Sequence, residues 1–155
     1  MHYSTKTYGH DVGLSCVFRQ PNAKSHCRHL HGYALSFTFK FGCNYLDKNN
    51  WVVDFGGLKD LKQWLQDHFD HKLILDTNDA CLGGMKSLEA MDLCSVVTFD
   101  GVGCEKFAEH AWRYANNLVW HMTKGRCRCI SCEVKEHGAN SGIFHESEDT
   151  NMARV

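Results

Sequence analysis

The densest run of chemically capable side chains is residues 25–33, Ser-His-Cys-Arg-His-Leu-His-Gly-Tyr. On extended backbone His29 and His31, two apart, project to one side, as joint ligation of a metal requires. Cys27 has a cationic neighbour in Arg28, the setting that lowers a thiol's pKa and equips it as a nucleophile or proton carrier. Structural zinc asks for four protein ligands, so the spacing leaves metal binding and a solvated polar loop as competing readings. A second candidate is Asp70-His71, where a carboxylate could orient an imidazole as a general base or simply cap a helix. A third is Cys127-Arg-Cys129-Ile-Ser-Cys132. Strand alternation predicts Cys127 and Cys129 on one face and Cys132 on the other, and no second cluster completes four ligands, so buried strand cysteines are expected. Glu136 closes the same segment as a carboxylate that could meet a ligand or stand as a surface charge.

Composition bounds what these residues can serve. The chain has 155 residues, 43% hydrophobic and 23% charged, with one proline. That suits one core, and no Pro/Ser/Gly-rich stretch divides it, so a single domain over residues 1–155 is expected. Lys plus Arg number 17 against 18 Asp plus Glu, without the basic excess of a nucleic-acid binder. No apolar run approaches the ~20 residues of a membrane span. The nine cysteines are an odd number, and the start lacks the charged-then-apolar pattern of a signal peptide. Reduced thiols in a cytoplasmic protein are therefore expected. Function must reside in a local site.

The elements that would position these groups follow from periodicity. Residues 5–18 carry alternating, β-prone side chains broken by Gly9 and Gly13, predicting a strand with a bulge. After a polar loop, Leu35, Phe37, Phe39 and Phe41 recur at period 2, the clearest strand in the chain and a natural partner for the first. Asp54 is a helix N-cap, after which Leu58, Leu61, Trp64, Leu65 and Phe69 keep helical spacing. Between residues 76 and 103 the pattern is mixed, with a short helix over 86–93 and a strand-like Val96-Val97-Thr98-Phe99. A second long helix over 104–122 places Phe107, Ala111, Ala115, Leu118 and Met122 on one stripe. Residues 128–134 and 141–145 read as two closing strands. Strands at both ends, two amphipathic helices between them and no βαβ alternation predict an α+β fold with an antiparallel sheet covered on one face.

Several segments in register resemble one family. Cys27-x-x-Leu30-His31-Gly32, Trp51-Val52-Val53-Asp54-Phe55 with Leu58-Lys59, Asp70-His71-Lys72-x-Ile74-Leu75, a helix opening at Glu105, and Val134-Lys135-Glu136 are similar to the 6-pyruvoyltetrahydropterin synthase and 6-carboxytetrahydropterin synthase family. The early cysteine and the Lys-Glu ending resemble the 6-carboxytetrahydropterin synthase branch, which feeds 7-deazaguanine and queuosine synthesis. The resemblance implies the tunnelling fold: a four-stranded antiparallel sheet with two helices on one face, assembling with copies of itself, as a homohexamer, into a β-barrel with active sites between subunits. It implies a lyase acting on 7,8-dihydroneopterin triphosphate, with Cys27 as catalytic thiol, Asp70 and His71 as a proton relay, and Glu136 as anchor of the pterin ring. The alternatives are the pyruvoyl-forming triphosphate elimination and a non-catalytic pterin-binding or structural homo-oligomer.

The resemblance also implies zinc on three histidines, one on the first strand and two in a His-Gly-His motif, and here the chain departs. The motif reads His31-Gly32-Tyr33, and the first-strand position falls on Phe18 or, with a two-residue gap, on Cys16. His31 remains, and His29, His26 or a Cys16 thiolate would have to complete a set. Residues 78–100 read as an insertion relative to the family, and Val102-Gly103 stands where the family has proline-threonine.

Overall fold

The computed structural model describes residues 1–146; the last part of the expected 1–155 domain, residues 147–155, lies outside them. Seven strands and three α-helices occur in the order β1 (His2–Tyr8), β2 (Leu14–Phe18), β3 (His31–Cys43), α1 (Lys59–Phe69), β4 (Lys72–Asp76), α2 (Leu82–Ala90), β5 (Ser95–Phe99), α3 (Cys104–Met122), β6 (Cys127–His137) and β7 (Asn140–His145). The expected first strand is divided in two. A 3-10 turn at His10–Val12, ending on Gly13 at φ 78°, separates β1 from β2. Both then pair antiparallel with successive halves of β3. A residue with a β-carbon resists that positive φ, which is why glycine stands there.

On β3 the period-2 stripe of Leu35, Phe37, Phe39 and Phe41 is completely buried. Against it pack Leu61, Leu65 and Phe69 of α1 and Phe107, Ala111, Ala115 and Val119 of α3, all without exposed surface. The small alanines let α3 lie close to the sheet while the phenylalanines fill the space beside them. The second long helix spans the predicted residues 104–122, whereas the short helix begins four residues earlier than its expected start at 86.

The sheet corrects two expectations. It has seven strands rather than four, and it is mixed: β2 pairs β4 in parallel, and β4 pairs β5 in parallel, giving the order β5-β4-β2-β3-β6-β7 with β1 also on β3. The β4–α2–β5 unit is a βαβ crossover that the sequence did not lead us to expect. Its cause is visible in the run Leu73-Ile74-Leu75, all buried. Ile74 joins the main core, while Leu73 and Leu75 join Met85 in a separate cluster under α2. A strand covered on both faces has no alternation to betray it. The helices therefore do not all share one face.

A β-bulge overturns the expected division of the late cysteines. The β3–β6 register shifts between Lys40 and Phe41, which face Ser131 and Cys129, leaving Ile130 as the extra residue. Beyond it the alternation is inverted, and Cys127, Cys129 and Cys132 are all buried on the same core. The Cys129 N–H donates to Asn116 Oδ1 (3.0 Å) and its carbonyl accepts from Trp112 Nε1 (2.8 Å), so α3 satisfies the backbone where the ladder is disturbed.

One buried ion pair ties the segment after β4 to the loop before β3. Arg19 donates from Nε (2.8 Å) and Nη2 (2.7 Å) to the Asp79 carboxylate, whose side chain is 1% exposed. The Arg19 Nη1 donates to the Arg28 carbonyl at 3.0 Å. The guanidinium bonds hold the Asp79 carboxyl below its ordinary 3.8 against the opposing effect of burial. Asp79→Ala should cost about 2 kcal/mol of stability in urea unfolding, because it removes both charge-assisted bonds from a guanidinium that is only 19% exposed. A loss under ~1 kcal/mol would show the pair to be worth no more than a surface contact. Because the folded-state pKa is depressed, the stabilisation is complete above pH 3.8 and disappears as pH falls through the lower folded value. Wild type and Asp79→Ala should therefore converge in stability in acid.

Candidate functional site

The register of β2 on β3 assembles the first group of candidate residues. Val17 faces Gly32, so Cys16 faces Tyr33 and Phe18 faces His31. A β-carbon on residue 32 would collide with the Cys16 carbonyl oxygen. Glycine is thus required for the close approach that brings these side chains together. Phe18 lies 5.2 Å from the His31 ring and 6.2 Å from the Tyr33 ring, and His31 and Tyr33 stand edge to face at 5.7 Å. Tyr33 also reaches the His137 ring, at 6.1 Å.

Cys27 sits on a 3-10 turn, His26–Arg28, that hydrogen bonds hold at several points. Ser25 Oγ accepts from the Cys27 N–H at 3.4 Å, and the Cys27 carbonyl accepts from the Gln20 N–H at 2.9 Å. The Arg28 guanidinium turns back to donate to the carbonyls of Lys24 and Ser25. Arg28 therefore serves the turn. Cys27 itself remains half-buried.

Glu136 opens onto a cleft of about 180 Å³ with Gln20, Glu105, Cys104 and Asn140 at the start of α3. It occupies the irregularity in β6–β7 pairing between Lys135 and His137, which frees its N–H to reach the Cys104 sulfur together with that of Gly142. A β-carbon at Gly142 would come within 2.5 Å of the Glu105 nitrogen, so this glycine allows α3 to begin against β7. Gln20 Nε2 donates to the Val102 carbonyl at 2.9 Å and fixes the approach to the helix. Burial, then the charges of Glu136 and Glu105, push the Cys104 thiol up to about 12. Burial, then Glu136, Cys27 and Cys104, raise the Tyr33 phenol. Tyr33 thus stands within electrostatic reach of both the Glu136 cleft and the Cys27 turn. The cleft residues Gln20 and Cys104 were not singled out as site residues from the sequence. The signal that could have found them is positional: Gln20 lies two residues beyond β2, and Cys104 is the first residue of α3.

Asp70 and His71 form the expected pair, with His71 Nδ1 2.5 Å from Asp70 Oδ1. The His71 backbone is left-handed at φ 55°, and its N–H donates to the Ser15 carbonyl at 2.7 Å. One residue thereby converts the end of α1 into β4, a conformation that histidine accepts more readily than most side chains. The imidazole is 89% exposed and Asp70 34%. His71 lines a groove of about 330 Å³ with Val17, Leu30, Leu73, Leu93 and Cys94. The Leu73 wall belongs to the α2 side of the sheet. Among the described residues, no hydrogen bond, ion pair or ring contact joins this pair to Cys27 or Glu136.

The expected zinc donor set does not fit. His29 is exposed as the C-cap of the Cys27 turn, and its carbonyl lies 2.7 Å from His31 Nδ1. Cys16 is 2% exposed and packs in the main core, and burial, with a smaller contribution from Cys104, pushes its thiol up to about 12. No three His, Cys, Asp or Glu side chains converge for a metal among the described residues.

The fold is shared with solved proteins. An uncharacterized protein, WS1659 from Wolinella succinogenes, superposes with a TM-score of 0.78 at 17% identity, over 94% of this chain and 98% of that one. The 6-pyruvoyl tetrahydropterin synthase of Plasmodium vivax superposes at 0.66 with 14% identity, over 95% and 99% of the two chains. Residues 10–148 match the family described as 6-pyruvoyl tetrahydropterin synthase, and the chain belongs to that family. It is 41% identical over 58 residues to the 6-carboxy-5,6,7,8-tetrahydropterin synthase of Rickettsia conorii, a stretch that is 37% of this chain and only 42% of that protein.

At pH 8 a thiol titrating near 12 is thiolate in about one molecule in ten thousand. Iodoacetamide with peptide mapping should therefore label Cys27 and the exposed Cys81 at least ~10-fold faster than Cys16 or Cys104. Labelling of Cys16 as fast as Cys27 would contradict its placement as a buried neutral thiol.

Proposed function

We propose that this chain is a lyase of the 6-carboxytetrahydropterin synthase type, acting on 7,8-dihydroneopterin triphosphate in the supply of 7-deazaguanine (queuosine-type) precursors. The observation that carries the reading is the Glu136 cleft in a chain of this family. A carboxylate there can accept two hydrogen bonds from the guanidine-like edge of a pterin, the bidentate pattern that fixes a flat heterocycle in orientation. Gln20 and Asn140 supply further polar partners around it.

Cys27 and His71 are the proton-moving groups, at the carbons of the substrate's side chain. Asp70 holds the His71 ring through Nδ1, leaving Nε2 to accept or return a proton. The thiol of Cys27 acts from the opposite side of the reacting carbon. Because the Asp70–His71 pair has no contact with Cys27 within one chain, the reading requires a second copy to bring the two together. A homo-oligomer with sites between subunits, a homohexamer closing a β-barrel, is the assembly it adopts. Residues 78–100, which build α2 and β5, are an insertion on the family's sheet. The nine cysteines are all free, in keeping with a cytoplasmic protein, and no described helix is long and apolar enough to cross a membrane.

Incubation with 7,8-dihydroneopterin triphosphate should release triphosphate together with acetaldehyde. Cys27→Ala should lower kcat by at least ~10²-fold, the usual worth of a positioned acid or base, with an unchanged melting temperature. Glu136→Gln should act mainly on KM. Triphosphate without acetaldehyde would indicate the pyruvoyl-forming reaction. Wild type and Cys27→Ala alike leaving the substrate intact while binding it would make the protein a pterin binder.

A further inference from the structure

Of the positions at which the family resemblance implies zinc ligands, Phe18, His31 and Tyr33 form an aromatic cluster here. Phe18 meets both other rings, at 5.2 Å (His31) and 6.2 Å (Tyr33), and the alternative first-strand position, Cys16, is 2% exposed within the core. Phe18 is 1% exposed and packs edge to face on Phe107 of α3 at 5.1 Å. The place of one ligand has thus become part of the core. His31 alone keeps ring nitrogens, and its Nδ1 is engaged with the His29 carbonyl. Tyr33 is different in kind from Phe18. It is half-buried between the His31 and His137 rings, and its hydroxyl makes no hydrogen bond among the described residues. Its neighbour His137 follows Glu136 directly along β6.

We propose that this chain handles its pterin in a metal-free form of the site, with the Tyr33 hydroxyl donating a hydrogen bond to an oxygen on the ligand's side chain while Glu136 holds the ring. The inference rests on the pterin reading above. A phenol carries a proton at neutral pH and is a donor of the kind that stabilises developing negative charge on oxygen. A metal at the same place would act as a Lewis acid on those oxygens. Phe18 and His31 keep the Tyr33 ring in one orientation, and Gly32 fixes the register that brings them to it.

Three measurements test it. Elemental analysis of the protein, as isolated and after dialysis against zinc and then buffer, should find less than one zinc per ten chains. A full equivalent of zinc overturns the inference and leaves the pterin reading standing. Neopterin binding, followed by ligand fluorescence, should be the same within twofold with EDTA and without; a tenfold loss in EDTA also overturns it. Tyr33→Phe should weaken neopterin binding about tenfold, yet leave 6-methylpterin, which lacks side-chain oxygens, within twofold of wild type. An equal loss for both ligands would make Tyr33 merely structural and overturn its role. If neither pterin binds, the functional reading fails, and the Tyr33 assignment with it.

Discussion

The approach of Gly32 to the Cys16 backbone is the constraint from which the candidate site follows. It fixes β2 on β3 with Val17 opposite Gly32, and a slip of one residue would turn Phe18 and Leu14 out of the core. That register places Phe18 on His31 and Cys16 beside Tyr33. It also presents the Ser15 carbonyl where His71 must leave α1, and Lys72 begins β4 opposite Cys16. The aromatic cluster and the hydrogen bond that receives His71 therefore both depend on this register.

Around this register, polar groups are spent on holding loops. Arg19 is bound to Asp79 and to the Arg28 carbonyl, so the segment that leads into α2 braces the turn carrying Cys27. Arg126 gathers the carbonyls of Tyr45, Trp51 and Val52 in the same manner, through donors that match several acceptors at once. Each brace exchanges the flexibility of a long connection for a few directional bonds.

Carboxylates and thiols are arranged so that several cysteines remain neutral. Burial raises Cys16, Cys104 and Cys127, and at Cys104 the charges of Glu136 and Glu105 add to it. Cys127, Cys129 and Cys132 pack as small apolar groups under α3. Cys27 is set apart by its place on a half-exposed turn. Among the described residues no three His, Cys, Asp or Glu side chains converge, and six of the nine thiols are buried.

Local pattern alone determined the β3 stripe, α3 from residue 104 to 122 and the side-by-side pairing of Asp70 with His71, whereas Asp54 caps a 3-10 turn, Phe55–Leu58, ahead of α1 rather than α1 itself. Each depends on neighbours within a turn or on period-2 alternation, and such information is carried in the order of residues. Only tertiary structure decided the parallel β4–α2–β5 unit, since a strand buried on both faces shows no alternation. The inversion of faces after Ile130 also lay beyond reach, because a bulge is set by the partner strand and by the Asn116 and Trp112 side chains that satisfy it. The neighbours of Phe18 and Cys16 were of the same type. The cross-strand register places Phe18 on His31 and Cys16 on Tyr33, and the close approach at Gly32 is a contact between backbones that no side-chain pattern records.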